Sequence, residues 1–329
     1  MNKKNRKTTG EVKTKEFRYL WVVLIVFICT YSLSWYGVQK YQMFYESREY
    51  PMWMHVKGLI NNISDQKQQM IIIGDSRAKA GYEPVLSSKN TLNLAVGGST
   101  PIDGYYTLFT FLKNNPDPES IVLSYSPLHL THAMYFWSRT VKYDFLAENE
   151  FDEIFNNLKK YQDPAMGKEN QLWKYKYLTS MYISSVFEGI KKKRWLINEE
   201  VKNSLVKTKG HAYFGTREGT QSLNGEVKEA SDFHHSELIN YYFIKLIELA
   251  RSRSIKVLWY TMPFNDASCN KVSPGLVSGF NEYIERLETK TGINVIRKIH
   301  CMDNKYFGDG SHVFRGSEIT TREILAEIE

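Results

Sequence analysis

Short apolar runs that end at glycine or proline alternate with longer amphipathic stretches over much of this chain. The run MIIIG at residues 70–74 is typical of a buried strand by its length and its β-branched side chains. Amphipathic stretches predict helices, and further short apolar runs predict four more strands. Strands that alternate with helices predict an α/β fold whose parallel sheet is covered on both faces. The additional strands are predicted at 91–96, 120–126, 255–261 and 293–299, and the helices at 105–113, 236–253 and 277–290.

A segment of a different kind precedes the first strand. Residues 19–39 carry no formal charge, and a helix of that length spans about 30 Å, the thickness of the hydrocarbon core of a bilayer. Trp21, Trp35 and Tyr36 lie near its ends, where aromatic rings favour the membrane interface. These features predict a transmembrane anchor. A cleaved signal peptide is the alternative, although SLSWYG is a poor cleavage site.

Charge is distributed unevenly around this segment. Residues 1–18 contain seven Lys or Arg and two Glu, whereas the remaining 311 residues contain 36 basic and 34 acidic side chains. The formal charge of +7 therefore comes mainly from a basic tail, and we expect no nucleic-acid partner. The positive-inside rule places this tail in the cytoplasm and the chain after residue 40 outside the membrane.

The same patterns divide the chain into parts. Between the third and fourth predicted strands, residues at about 131–230 are predicted to form a mostly helical insertion that ends in an irregular loop. The insertion includes the basic run 191–194, for which a solvated helix face is favoured over contact with lipid headgroups or an anionic polymer. The predicted parts are a cytoplasmic tail at 1–18, an anchor at 19–39, a juxtamembrane stalk at 40–69 and an α/β domain at 70–329.

Cysteine and histidine positions limit the chemistry. Three cysteines exclude a disulfide-rich scaffold and a four-thiolate zinc site. Cys269 and Cys301 would both lie in an oxidising compartment, where they could pair or remain free. His129 and His132 have a spacing that suits two ligands on one helix, but no third ligand is near them in sequence. We therefore expect no metal and no other cofactor.

Polar residues follow the predicted strands at the points where these end. In an open parallel sheet, ligands bind outside the carboxyl ends of the strands. A serine at a strand-to-helix turn can act as a nucleophile, and an Asp three residues before a His can orient the imidazole towards it. Each piece alone fits a plain turn or helix cap, but together they form the parts of an acyl-transfer triad. The segments are Gly74-Asp75-Ser76-Arg77, Gly97-Gly98-Ser99-Thr100, Ser124-Tyr125-Ser126-Pro127 and Gly308-Asp309-Gly310-Ser311-His312.

In these segments the chain resembles the SGNH (GDSL-like) hydrolase family. IGDS at 73–76 is similar to the family's nucleophile block, NLAVGG at 93–98 to its second block, and DGSH at 309–312 to its closing Asp-x-x-His block. The resemblance covers about residues 70–130 and 255–325. It implies a flavodoxin-like, three-layer parallel sheet. The mostly helical insertion and the single N-terminal transmembrane helix, which are predicted from the sequence pattern, are additions to that fold. The resemblance further implies roles for individual residues: Ser76 as nucleophile, His312 as general base, Asp309 as its orienting group, and backbone oxyanion donors at Ser76 and at Gly97 or Gly98.

The chain departs from the family pattern after the third strand. The family's third block supplies an asparagine to the oxyanion hole, and this chain has Ser124-Tyr125-Ser126-Pro127 there. Loss of one such donor costs about 100- to 1,000-fold in rate, unless Ser126 or Ser99 replaces it. Arg77, next to the nucleophile, is a candidate to hold a substrate carboxylate or phosphate, with a surface ion pair as the alternative.

The anchor and the insertion narrow the resemblance to a subgroup. With its anchor and large insertion, this chain resembles those SGNH-like proteins that act beside membrane-bound O-acyltransferases. That resemblance implies O-acetylation or a similar esterification of a cell-surface polysaccharide or teichoic-acid-like acceptor through Ser76. A carbohydrate esterase of the same fold is one alternative. A non-catalytic scaffold for an envelope polysaccharide, with an inactive triad, is another.

Overall fold

The N-terminal apolar segment is helical and exposed. The computed structural model describes residues 5–167, 171–229 and 232–328. Its first helix, α1 (Asn5–Lys40), contains an apolar stretch from Phe17 to Lys40. The most apolar part of this stretch has a mean hydropathy of 1.8, and none of it is buried against the rest of the protein. Such a helix is compatible with a signal anchor or a signal peptide.

Five parallel strands form the central sheet. Their order across the sheet is β2-β1-β3-β4-β6, and every neighbouring pair is parallel. The predicted α/β fold with a parallel sheet is therefore confirmed. A small second sheet pairs β5 with β7 and was not predicted. The strands are β1 (Met70–Gly74), β2 (Thr91–Asn93), β3 (Ser120–Ser124), β4 (Lys256–Tyr260), β5 (Phe264–Asn265), β6 (Asn294–Arg297) and β7 (Cys301–Met302).

Helices fill most of the remaining described chain. The three predicted helices correspond to α5, α12 and α14 in the list that follows, and Ser236 caps α12 by accepting the Ile239 N–H. The helices after α1 are α2 (Gln42–Tyr45), α3 (Glu49–Asn61), α4 (Ser76–Gly81), α5 (Pro101–Asn114), α6 (Pro127–Thr131), α7 (Glu148–Tyr161), α8 (Leu172–Tyr177), α9 (Ser180–Lys192), α10 (Arg194–Lys207), α11 (Gly225–Glu229), α12 (Glu237–Ser252), α13 (Asp266–Cys269), α14 (Pro274–Thr291) and α15 (Ser317–Ala326).

The sheet is buried on both faces. Ile71 and Ile73 of β1 join a large apolar cluster that includes Phe243 of α12. Met70 and Ile72 point to the other face and join a smaller cluster closed by residues of α15. Because successive side chains of a strand alternate between faces, a run of five apolar or small residues needs cover on both sides. This explains why β1 lacks polar alternation.

The segment predicted as a stalk contains a helix that packs into the domain. Trp53, on α3, is fully buried in the large cluster. Its indole Nε1 donates a hydrogen bond to the carbonyl of Gly97, at 3.2 Å. Helix α3 is therefore in contact with the loop that follows β2, one of the loops at the carboxyl edge of the sheet.

The segment between β3 and β4 is largely helical within the described residues. It carries α6 to α12, together with a single π-helical turn at Phe136–Val141. Residues 210–224 contain neither helix nor strand. Part of the predicted insertion, residues 168–170 and 230, lies outside the described residues.

The structure pairs two of the cysteines. A disulfide joins Cys269, at the end of α13, to Cys301 in β7, with their Cα atoms 6.1 Å apart. Cys29 of α1 is free. The disulfide links two segments of the chain that lie ahead of the turn carrying Asp309 and His312.

Candidate active site

The turn after β1 holds Ser76 at the first position of α4. Asp75 is buried and caps this helix, since its carboxylate accepts the Arg77 N–H at 2.9 Å and the Ser126 N–H at 2.7 Å. A Cβ added to Gly74 would lie 2.0 Å from the carbonyl oxygen of Ser124, so only glycine fits there. Asp75 therefore ties the turn after β1 to the turn after β3.

Ser76, His312 and Asp309 form one chain of hydrogen bonds. The Ser76 Oγ lies 2.8 Å from the His312 Nε2. The His312 Nδ1 lies 2.9 Å from both carboxylate oxygens of Asp309. On one side the imidazole stacks on the ring of Phe214, with centroids 4.6 Å apart. The residues predicted as nucleophile, base and orienting group are thus brought together.

The charge on Asp309 fixes the role of each imidazole nitrogen. Burial acts to raise the pKa of Asp309, but hydrogen bonds from His312 and from the backbone of Ser311 outweigh it and lower the pKa below its usual value. An ionised Asp309 accepts a hydrogen bond from Nδ1, which therefore carries the proton in a neutral imidazole. The Nε2 lone pair is then left to accept the Ser76 Oγ–H, as a general base must.

A cleft of about 260 Å³ lies in front of Ser76. It is bordered by Ser76, His312, Arg77, Gly98 and Ser126, all predicted as site residues. Gly97, Ser99 and Asp309 are not among its lining residues. A larger cavity, of about 560 Å³, lies elsewhere and is lined by none of the predicted site residues, so the chemistry points to the smaller one.

Backbone donors are available at this cleft. Ser76 is the first residue of α4, a position whose N–H has no acceptor within its own helix. Gly98 adopts a φ of +75°, which favours glycine, and its N–H bonds to no acceptor among the described residues. The sequence left open whether Gly97 or Gly98 supplies the second backbone donor, and of the two Gly98 lines the cleft.

The two serines considered as replacements for the missing asparagine are placed differently. The hydroxyl of Ser99 donates to the carbonyl of Gly74 at 2.7 Å, and Ser99 is buried. The N–H of Ser126 is occupied by Asp75, while the residue itself borders the cleft. Of these two serines, Ser126 is therefore the one that borders the cleft.

Arg77 is held at the cleft by a buried ion pair. Its Nη2 bonds to Glu226 of α11, and both side chains are buried. The guanidinium lies over the Phe264 ring, 4.8 Å from its centroid. The other terminal nitrogen, Nη1, is buried and has no hydrogen-bond partner among the described residues. Arg77 therefore keeps one unused donor nitrogen among the described residues, next in sequence to Ser76.

Three more polar side chains complete this wall of the cleft. Arg139 lies 4.1 Å from the centroid of the Tyr135 ring, and its Nη1 is 3.6 Å from Oε2 of Glu49. His129 is buried with its Nε2 3.9 Å from Oδ2 of Asp75. Burial lowers the pKa of His129. Within the described chain, neither the His129 Nδ1 nor the Glu49 Oε2 has a hydrogen-bond partner.

Lys79 supports the site from the far side of α4. It is fully buried, and its Nζ donates to the carbonyls of Ala95 and Gly210, both at 2.7 Å. Burial lowers its pKa to about 7. These hydrogen bonds connect α4 to the loop after β2 and to the segment between β3 and β4.

The histidines considered as metal ligands lack the neighbours a metal needs. His132 is exposed, with its Nδ1 2.8 Å from the Thr131 hydroxyl. Across the described residues there is no group of three or more His, Cys, Asp or Glu side chains arranged to hold a metal ion.

Comparisons with known proteins leave the family open. No model of a known protein family matches this chain, and no curated protein matches it significantly. Any functional argument therefore depends on the site itself.

Proposed function

We propose that this protein is an SGNH-like, serine-dependent acyltransferase that esterifies a hydroxyl of a cell-surface polysaccharide or related polymer. The observation that carries the proposal is the hydrogen-bond chain from Ser76 through His312 to Asp309 at the carboxyl edge of a parallel sheet. The sheet order fits the flavodoxin-like arrangement that the family resemblance implies.

The reaction would proceed in two steps. His312 Nε2 takes the proton of Ser76 Oγ as that oxygen attacks the carbonyl carbon of an acyl donor, and the donor's leaving group departs with the proton from His312. An acceptor hydroxyl then gives its proton to His312 and attacks the acyl-enzyme. The Ser76 oxygen leaves and recovers the proton. In both steps the N–H groups of Ser76 and Gly98 would stabilise the negative oxygen.

The residues that border the cleft support transfer over hydrolysis. Tyr135, Arg139 and Phe214, all from the segment between β3 and β4, line it beside Ser76 and His312. Side chains that cover an acyl-enzyme reduce its access to water. A carbohydrate esterase would use the same triad, and the two reactions are separated by the experiment below.

We further propose that α1 anchors the protein in a membrane with the α/β domain outside the cytoplasm. The exposed apolar helix supports this, as does the Cys269–Cys301 disulfide, since such bonds persist in oxidising compartments. A membrane-bound O-acyltransferase is the acyl donor that this arrangement would suit.

The test is intact-mass analysis of the full chain in detergent after reaction with a fluorophosphonate, with Ser76→Ala and His312→Ala beside it. We expect one adduct on Ser76 that depends on His312. Absence of the adduct in the folded wild-type protein would contradict an activated nucleophile and favour the scaffold alternative.

A second measurement separates the two reactions. The full chain is incubated with an activated acyl ester, with and without a polysaccharide acceptor. Acyl-enzyme that persists until the acceptor is added supports transfer. Rapid release of the acyl group to water without acceptor identifies an esterase instead.

A further inference from the structure

Helix α9 presents an apolar stripe that the rest of the described chain leaves uncovered. Ile183, Phe187 and Ile190 recur at helical spacing and are exposed, with Phe187 70% accessible. The opposite side of α9 is packed, because Tyr182 is buried and Gly189 lies against the backbone of Tyr45. We call this stripe the apolar face.

Helices α8 and α9 are fastened to the last third of α1. Tyr31 donates its hydroxyl proton to the carbonyl of Tyr177 at 2.5 Å, and Trp35 donates its indole N–H to the carbonyl of Lys176 at 3.2 Å. Further along, Gln39 donates to the hydroxyl of Tyr182 at 3.0 Å. The residues next to the apolar face therefore lie alongside the apolar helix itself.

These contacts fix how close the apolar face is to the bilayer. Tyr31 precedes Lys40 by nine residues, which is about 13 Å along a helix axis. If the end of α8 stayed entirely in water, the spanning part of α1 would be reduced to residues 19–30, far short of the ~20 residues that cross a bilayer. A spanning α1 thus brings α8 and the start of α9 to the level of the headgroups or below.

The charges beside the apolar face complement an anionic surface. Lys191 and Lys193 are exposed and follow Ile190 directly. Their neighbours in the basic run are engaged elsewhere, Lys192 with Glu188 at 2.7 Å and Arg194 with the carbonyl of Tyr45 at 3.0 Å. An apolar stripe bordered by free lysines is typical of helices that lie in a membrane interface.

We propose that the apolar face lies in the headgroup–acyl boundary of the membrane leaflet nearest the domain. A lipid surface, rather than a protein partner or a second copy of the chain, is its occupant. The inference rests on the proposal that α1 spans a membrane, and adds a second attachment that fixes the orientation of the domain relative to the bilayer. The Ser76 cleft would then be presented to acyl donors and acceptors in one orientation.

The test measures depth in the full chain, reconstituted in vesicles of phosphatidylcholine and phosphatidylglycerol. In a Cys29→Ser background, an environment-sensitive fluorophore is attached through Phe187→Cys, a position whose exposure makes the substitution harmless to the core. The matched control is Lys290→Cys, at an exposed position of α14. A third sample carries the label on the native Cys29. Quenching by lipids with nitroxide groups on the acyl chains is then compared with quenching by aqueous iodide.

We expect strong lipid quenching at Cys29, clear quenching by shallow nitroxides at position 187, and iodide quenching alone at position 290. Quenching at Cys29 with position 187 behaving like position 290 would overturn the interfacial placement while leaving the anchor intact. A label at position 187 shielded from both quenchers would mean that protein covers the face, which also overturns it. If Cys29 itself is not quenched, α1 does not span the bilayer and the inference falls with it, whereas fluorophosphonate labelling of Ser76 would be unaffected.

Discussion

The two walls of the cleft differ in how completely their polar groups are paired. On one wall, Ser76 and His312 share a short hydrogen bond, and His312 is bonded in turn to Asp309, which does not itself line the cleft. On the other wall, Nη1 of Arg77 and Nδ1 of His129 are buried without a hydrogen-bond partner among the described residues, and Oε2 of Glu49 has only the longer ion-pair contact with Arg139, at 3.6 Å. Unpaired buried polar groups are costly, at about 1–3 kcal/mol each. Under the proposed function, we expect the first wall, called the triad wall, to carry out the chemistry. We expect the second, called the recognition wall, to bind a ligand that supplies the missing hydrogen bonds.

The largest expected effect lies on the triad wall. Ser76→Ala and His312→Ala should each reduce acyl turnover by about 10⁴-fold or more, and the double variant should be little worse, because the residues act as one unit. Turnover of an activated ester by the purified full chain measures this. Thermal unfolding is the control and should hardly change, since neither side chain belongs to the core. Additive losses in the double variant would show that the two residues do not act together.

A buried ion pair provides the next effect, on stability. Glu226→Ala leaves the Arg77 guanidinium buried without its partner, and loss of one partner of a buried pair costs about 3–5 kcal/mol. Denaturant unfolding followed by far-UV circular dichroism measures the free energy of unfolding. Replacing both residues by Met should recover most of that loss.

A matched surface pair serves as the control for this prediction. Glu285→Ala breaks the exposed contact with Lys298, and we expect a change below about 1 kcal/mol. If Glu226→Ala and Glu285→Ala lower the free energy of unfolding equally, the buried Arg77–Glu226 pair matters no more to stability than the surface pair.

The sequence predicted the triad wall because each of its parts is local. Asp75 and Ser76 follow a strand directly, and Asp309 lies three residues before His312, so each pair falls within one short segment. The roles of Ser76, His312 and Asp309 were implied by the family resemblance. The recognition wall was missed in part. Glu49, Arg139 and Glu226 come from three distant segments without motifs, and only tertiary packing brings them together.

The presence of the strands was predicted more accurately than the residues at which they end. Strand β1 has the predicted bounds, whereas β2 ends at Asn93 instead of residue 96. The side chain of Asn93 turns back to donate to the carbonyls of Ala78 and Tyr82, and Leu94 still donates to Ile72. A side-chain contact of this kind leaves no trace in a hydrophobicity pattern. The packing of α3 against the loop after β2 could likewise not be predicted from the local sequence pattern.

Arg139 offers a smaller effect that separates recognition from chemistry. Arg139→Met removes a charged donor from the cleft, and we expect about 10- to 100-fold lower kcat/KM for the polymer acceptor. Fluorophosphonate labelling of Ser76 should continue at nearly the wild-type rate, because the triad is untouched. Arg253→Met, at an exposed Arg paired with Asp117, is the matched control. Parallel loss of labelling and of acceptor use would assign Arg139 to the chemistry instead.

The smallest expected effects concern how the free energy of unfolding depends on pH. His129 and Asp309 contribute in two different pH ranges. His129 has a pKa lowered by burial, so on acidification the unfolded chain takes up a proton at about pH 6.5 while the folded chain does not. Stability should therefore begin to fall below that pH. Burial opposes the shift at Asp309, but its hydrogen bonds lower the pKa, so its contribution is present above about pH 3.9 and disappears below it.

Substitutions test how much of the loss of stability in each pH range comes from His129 or from Asp309. His129→Gln should reduce the decline that begins near pH 6.5, and the rest of that decline should come from His55, His211 and His300, whose pKa values burial also lowers. Asp309→Asn should reduce the decline that begins near pH 3.9. Because 39% of the Asp309 side chain is exposed, its contribution should stay below about 1 kcal/mol. Denaturant unfolding at a series of pH values measures both. If stability falls equally below pH 6.5 in the wild-type protein and in His129→Gln, His129 makes no contribution to that decline.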